Sequence, residues 1–465
     1  MNLQLTLLIA YLIGIIVFGL VVSRTVRHAS DFLVAGRNLG PGLIFATFLA
    51  ANIGAGSTVG AAGIGYELGL SAWWWVGCAG IGSLILANFV GPAIWRIAKQ
   101  HDLHTMGDFL DLRYNRAVRG GVASLLWIGT LAILAVQLIA ISRILEIVVG
   151  WPKWQGCVVG GIVVMAYFTA GGLSTAARVN AVQLVFMLIG FLVAIPFALE
   201  ASGGWAAIGE TLSSNRDPSY SSMTGVGPRG ILAYIVLLVP AFVVSPGLIQ
   251  KLYGARDERA VRIGINLNAI GLGLFAFVPV FFGIVAYANF PALADPELAL
   301  PLVMVELLPS GVGALALAAI LSAELSSSDA ILFMLSTSLS VDLYKRFLKP
   351  DASERRLLQV NRGAAVAGGL LAVALAIALP SIIQGLTIFY GLLGVALFVP
   401  TLAGLYSKVP KAGTALWTVI GSVSITVVVY LWTDGTGLGI LTPYAIGIIC
   451  AIALTLARWN HDRKT

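Results

Sequence analysis

The residues best suited to chemistry lie in one run, Ala323-Glu324-Leu325-Ser326-Ser327-Ser328-Asp329. As a helix, this run places Ala323, Ser326, Ser327 and Ala330 at i, i+3, i+4 and i+7, on one face. Hydroxyls on such a face, joined by carbonyls freed from another helix, offer a dehydrated Na+ hard oxygens at modest desolvation cost. Glu324 and Asp329 are a different matter, because their surroundings are almost wholly apolar. A carboxylate at the depth of a bilayer costs at least about 2.5–3.5 kcal/mol, so the pair reads as a candidate second cation or proton site. Plainer readings stand beside this one: Glu324 protonated in a polar seam, and serine hydroxyls bonded back to their own helix.

Two other segments are poor helix interiors. Residues 48–60 combine Asn52 with Gly54, Gly56 and Gly60, and each glycine costs about 1 kcal/mol against alanine. Residues 239–247 hold Pro240 and Pro246, each lacking a backbone donor and clashing with the preceding turn. Helices broken at matching places in two inverted halves mark a transporter binding site, where half-helix ends and unwound carbonyls hold a solute and a cation. The candidate solute-binding residues are Asn52, Gly54, Gly56, Ser57, Ser245 and Pro246, with Gln137, Tyr390 and Tyr66 as further lining groups. The alternative is that the glycines serve tight packing and Pro246 a plain kink.

The elements that must position these residues follow from composition. The chain has 465 residues, 58% hydrophobic and 11% charged, with a mean hydropathy of +0.94. Soluble domains carry about 25% charged residues, so a cytosolic enzyme, a nucleic-acid binder and a disordered chain are excluded. Crossing about 30 Å of hydrocarbon takes about 20 apolar residues. Such runs fall at 3–22, 41–65, 72–95, 121–147, 155–171, 180–199, 231–250, 264–288, 311–341, 361–380, 383–405, 414–432 and 441–457. The expectation is an all-α polytopic membrane protein of thirteen helices in a single transmembrane domain, its first span a retained helix and not a cleaved signal. The broken spans, second and seventh, open two blocks of five, and an odd number of crossings inverts one block against the other. Residues 1–40 then form a leading helix and loop, 41–200 the first block, 231–405 the inverted second, and 414–457 two trailing helices.

Charge sets the orientation. Every basic residue except Arg143, Lys153, Arg216 and Arg229 falls in alternate connections or the C-terminal tail. Basic loops resist translocation, which puts the N-terminus outside and the C-terminus in the cytoplasm. The basic pI, near 9.4, is thus a topology signal and not a nucleic-acid footprint. The longest outside connection, about 200–230, is expected to be a short surface helix plus loop. Cys78, Cys157 and Cys450 sit in apolar runs as small hydrophobes, and His28, His101, His104 and His461 in loops or the tail as solvated residues. No ATP-binding motif is present, so the energy for transport must come from a gradient.

Several short motifs occur in order between about residues 30 and 415. They are Ser30-Asp31-Phe32 with Ala35-Gly36-Arg37, Ala50-Ala51-Asn52-Ile53-Gly54, Gly171-Gly172-Leu173, and Gln250-Lys251 with Ala255-Arg256-Asp257. Ala323, Ser326 and Ser327 then precede Asp342-Leu343-Tyr344-Lys345, and Pro400 precedes Ala403-Gly404-Leu405-Tyr406. As an ordered set they resemble the sodium:solute symporter family. The resemblance implies a LeuT-like 5+5 inverted repeat with one extra leading helix, and Na+-driven uptake of a small organic solute without a cofactor. It implies a sodium site built from the carbonyls of Ala50, Ile53 and Ala323 and the hydroxyls of Ser326 and Ser327. In some members a second sodium site uses an aspartate where this chain has Asn180, while Asp329 stands where others often have a hydroxyl. The expectation is a carboxylate relocated across the same space, holding a second cation or a proton near Asp329, Ser326 and Asn180. An Arg178–Asp329 ion pair is the alternative.

The stretch Gly54-Ala55-Gly56-Ser57 lacks the long polar side chains of the family's sugar carriers, and Ser245-Pro246-Gly247 is similar to its proline- and pantothenate-type members. A small carboxylate or amino acid is favoured over a sugar, since helix N-termini at the breaks attract anions. Trp73–Trp75 read as interface-belt residues or, alternatively, an outer vestibule. Proton-coupled transport through Glu324 and Asp329 and a transporter-like solute sensor are the rival functions; an enzyme is not expected. The setting implied is a bacterial inner membrane, with the oligomeric state open.

Overall fold

The structure is a computed structural model describing residues 3–23, 37–214 and 218–464, without the side chains of 23, 167–177, 214, 460, 461 and 464. Arg24, Arg27, His28, the Ser30–Gly36 part of the first motif and Arg216 lie outside the described residues, as do the side chains at Leu173 and His461. Ten helices among the described residues are long and apolar enough to cross a membrane, and Pro41–Asn52, Lys153–Ala166 and Pro443–Trp459 are shorter apolar helices.

The leading helix α1 spans Leu3–Ser23. The second expected span is two pieces, α2 (Pro41–Asn52) and α3 (Val59–Leu68). Ile53 and Gly54 are extended and a single tight turn, Ala55–Ser57, links the pieces, as the glycine-rich sequence requires. Next come α4 (Trp73–Ile85), α5 (Gly91–Gln100), the short α6 (Met106–Arg113) and α7 (Arg116–Val149). The two spans expected at 155–171 and 180–199 fall in one helical run, α8 (Lys153–Ala201). A short helix, α9 (Gly204–Ser214), lies in the long connection.

The seventh span breaks at Ser245, between α10 (Gly227–Val244) and α11 (Pro246–Tyr253). Pro240 is accommodated inside α10, whereas Pro246 opens α11, where its missing N–H is no loss. An interruption at Ala276, not among the expected breaks, divides α12 (Glu258–Phe275) from α13 (Phe277–Asn289), where Pro279 leaves the Phe275 carbonyl without a donor. Then follow α14 (Ser310–Thr337), continued by a wider-wound stretch Ser338–Leu348, and α15 (Glu354–Ala378). The chain ends with α16 (Ile382–Tyr406), α17 (Ala412–Trp432) and α18 (Pro443–Lys464).

The packing has the exchange symmetry of an inverted repeat. The broken α2–α3 packs on α12–α13, and the broken α10 packs on α4; α7 packs on α16, and α14 on α8. Exchanging the blocks, so that a first-block partner moves five spans on and a second-block partner five spans back, turns one pairing into the other. Glycines permit both close approaches: a Cβ at Gly283 would stand 2.3 Å from the Ala62 carbonyl, and one at Gly82 2.9 Å from that of Val239.

Charged networks tie off the two ends. At the basic end Arg119 meets Asp108, Asp111 and Asp342 at 2.9, 3.2 and 2.7 Å, and Arg113 donates to the Gly404 and Ser407 carbonyls. At the opposite end Arg143 pairs with Glu146 and Asp295, and Lys153 donates to the Leu379 carbonyl. Burial pushes the Glu297 carboxyl up there, against the hydrogen bond it accepts from Ile382 N. Cys78 and Cys157 are buried, and Cys450 is half-buried.

Candidate sodium site and solute cavity

Ending α2 at Asn52 leaves the carbonyls of its last turn without helical partners. Two serines of α14 reach across to them. Ser326 Oγ lies 2.8 Å from the Ala50 carbonyl and 3.0 Å from that of Ala323. Ser327 Oγ lies 3.1 Å from the Ile53 carbonyl and 3.3 Å from that of Ala51. The five residues singled out for sodium are therefore brought together, all buried. Their oxygens bear no formal charge, and each hydroxyl need only turn its proton aside to present a lone pair. Gly54 permits this approach, because a Cβ there would stand 2.3 Å from Ser327 Oγ and 2.9 Å from Gln137 Oε1.

A cavity of about 90 Å3 lies between the two breaks. Asn52, Gly54, Gly56, Ser57, Gln137, Ser245 and Tyr390 all line it, together with Ser327. Several of these polar groups hold the unwound backbone in place. Gln137 Oε1 accepts from Ala55 N at 3.0 Å, and Ser57 Oγ donates to the Asn52 carbonyl at 2.9 Å. Asn52 Nδ2 donates to Asn268 on α12 at 3.2 Å.

Other candidates are placed elsewhere. Pro246 is outside the lining and borders a separate cavity of about 20 Å3, because the break turns Ser245 and Gly247 inward. The Tyr66 hydroxyl donates to the Phe290 carbonyl, well away from the cavity. Trp73 and Trp74 donate to the Gly273 and Met223 carbonyls. Trp75, by contrast, is buried, lines the cavity and donates to the Gly56 carbonyl at 2.8 Å.

Asn180 on α8 and Asp329 on α14 are buried in helices that pack closely together. Arg178 is exposed, and Lys251 is near enough to Asp329 for their charges to act on each other. Glu324 is buried, its Oε1 2.8 Å from Thr58 Oγ1.

Lys251 is the site residue that sequence reasoning missed, having been counted among the basic connections. It is 3% exposed, lines the cavity and donates to the Thr47 carbonyl at 3.0 Å. The available signal was its place in α11, a half-helix that follows a break and is otherwise nearly all apolar.

The family model of the sodium:solute symporter family matches residues 32–421. The chain belongs to the sodium:solute symporter family. It is accordingly an integral membrane transporter, not an enzyme, and a Na+-coupled symporter of a small solute. Among curated proteins it is similar to the sodium/pantothenate symporter of Escherichia coli, 28% identical with 89% of this chain and 87% of that one covered. It is also similar to the sodium/glucose cotransporter of Vibrio parahaemolyticus, 26% identical with 89% and 82% covered. Among solved structures it resembles a substrate-bound, outward-open Na+-coupled sialic acid symporter, with a TM-score of 0.82 over 98% of both chains at 16% identity. That likeness fixes the fold as this symporter family's polytopic helical architecture.

Proposed function

We propose that the chain imports a small carboxylate-bearing solute together with Na+ by alternating access. The Na+ would lie among the oxygens of Ala50, Ile53, Ala323, Ser326 and Ser327. The solute would lie in the adjoining cavity. The observation that carries the solute class is Lys251, a buried ammonium in a cavity lining that contains no acid. The N-terminal end of α11 adds to its pull on an anion. A sugar is disfavoured by the few side-chain hydroxyls and amides that the unwound backbone leaves free. Pantothenate and monocarboxylate carriers among the relatives agree with this, although a glucose carrier is among them too.

Lys251 also bears on the second site. Its ammonium serves Asp329 as a fixed cation, so one Na+ per solute is expected instead of a second ion near Asp329, Ser326 and Asn180. The gathering of basic segments at one end supports a cytoplasmic C-terminus and an outside N-terminus, in a bacterial inner membrane.

The test is 22Na+ binding to the purified protein with a panel of monocarboxylates, amino acids and sugars. Linkage requires a cosubstrate to raise Na+ affinity by the factor that Na+ raises its own. Stimulation by a carboxylate, lost in the Ser326→Ala/Ser327→Ala double variant, is expected. Stimulation by sugars alone would overturn the solute class, and no Na+ binding would overturn the coupling ion.

A further inference from the structure

We infer that the small cavity bounded by Gln250, Ser338 and Asp342 is an inner cation site, where Na+ released from the serines pauses on its way to the basic end; that order of events rests on the sodium site proposed above. Three cavities follow one another along one face of α14 and its continuation. Ser327 and Met334 border the solute cavity. Met334, Ser338 and Asp342 border the next, of about 20 Å3. Val341 and Lys345 border a third, of about 450 Å3, together with Arg119 of the basic end. Met334, unbranched and flexible, is shared by the first two and stands in the wall between them.

The inner cavity has room for about one water-sized guest, and its lining suits a cation. Gln250 is 3% exposed, and neither its Oε1 nor Ser338 Oγ meets a hydrogen-bond partner. A buried amide oxygen left unpaired is costly, which points to a guest. Thr130 Oγ1 donates to the Leu126 carbonyl at 2.6 Å, and Thr105 Oγ1 lies 2.6 Å from Asp342 Oδ1, so both hydroxyls spend their one proton elsewhere. What remains for the guest is acceptors and a carboxylate. No lysine, arginine or histidine is among the described residues of this lining.

The surrounding charge has the matching sign. Within the ion-paired cluster, Arg119 and Arg346 face Asp108, Asp111 and Asp342. Two guanidinium groups against three carboxylates leave one negative charge over, and Asp342 is the carboxylate that borders the inner cavity. Lys251, next to Gln250 in sequence, turns instead to the Thr47 carbonyl and the solute cavity. One ion visits the two sites in turn, so one Na+ per solute still crosses.

The test is 22Na+ binding to the purified protein, with choline chloride holding the ionic strength constant. Wild type is expected to show two components, the weaker one from the inner cavity. Ser326→Ala/Ser327→Ala should keep only the weaker. Gln250→Leu, which leaves the Arg119–Asp342 pair in place, should weaken that component by about tenfold or more, as befits one lost oxygen partner of a charged group. The tighter component should not change, and Gln250→Glu, which keeps an oxygen, should restore the weaker. A single component in wild type, or a weaker one indifferent to both Gln250→Leu and Ser338→Ala, would overturn the inference and leave the cavity to water. A tight component that survives in the double serine variant would overturn the sodium site instead. If Gln250→Leu does not fold, Ser338→Ala decides.

Discussion

Two kinds of side chain surround the breaks: groups that finish the backbone and groups left over for a ligand. Gln137, Ser57 and Trp75 are of the first kind, each bonded to the unwound segment 52–56. Lys251 is assigned to the second, since holding one carbonyl does not require a charge and its ammonium is shared between Asp329 and the solute. Lys251→Gln should weaken carboxylate binding by about 10–100-fold, the worth of a charge-assisted hydrogen bond of about 1.5–3 kcal/mol. Na+ binding without solute should change little, and Lys251→Arg should recover part of the loss. Isotherms with and without solute separate these effects, and a variant that weakens both equally would show Lys251 to be structural. Ser326 and Ser327 were legible because their helical spacing is fixed by sequence alone. Lys251 was not, because a lysine closing an apolar run reads as an anchor at the membrane surface, and only packing against Thr47 buries it. Pro246 shows the converse limit: proline marks where a helix must break, but not which neighbours the break turns inward.

Helices set the precision with which the two breaks face each other. The α3–α13 contact depends on Gly283, whose added Cβ would meet the Ala62 carbonyl and also Tyr66 N at 2.6 Å. Backbone atoms of a packed helix cannot step aside, so Gly283→Val should destabilise the fold by about 1–3 kcal/mol. Gly273 on α12 has open space around its Cβ position, and Gly273→Ala should be neutral. Thermal melts of both variants in detergent provide the comparison; equal melting temperatures would show the α3–α13 approach to be loose. Element by element, apolar runs located the helices and glycine and proline located both breaks. The interruption at Ala276 and the single run of α8 were not foreseen: Pro279, which leaves the Phe275 carbonyl without its helical donor, sits inside an unbroken apolar run, and Gly171-Gly172 and Pro196 do not divide α8.

Across the whole molecule, the ends are held differently. Arg119 gathers three carboxylates from α6 and the stretch after α14, and is itself nearly buried. Removing it strands Asp342 in the interior, a loss of about 3–5 kcal/mol for a buried pair. Stability should fall in the order wild type, Arg119→Lys, Arg119→Ala, since lysine keeps the charge but not the forked geometry. Melting temperature and Na+-driven uptake into proteoliposomes should follow the same order; unchanged uptake in Arg119→Ala would mean the basic end need not close. This ion cluster could not be read from the sequence, whose loop charges give sidedness but not pairing.

Thiol reagents attack the thiolate and need access to it, and Cys78 and Cys157 are buried away from water, Cys157 even though Lys153 and Arg143 lie near it. The native chain is therefore close to silent toward impermeant maleimides, with Cys450 as the one half-covered thiol to replace. A Gly247→Cys variant, whose Cβ would meet only Met334 Sδ at 3.5 Å, would then report which face of the bilayer the second break meets as Na+ comes and goes.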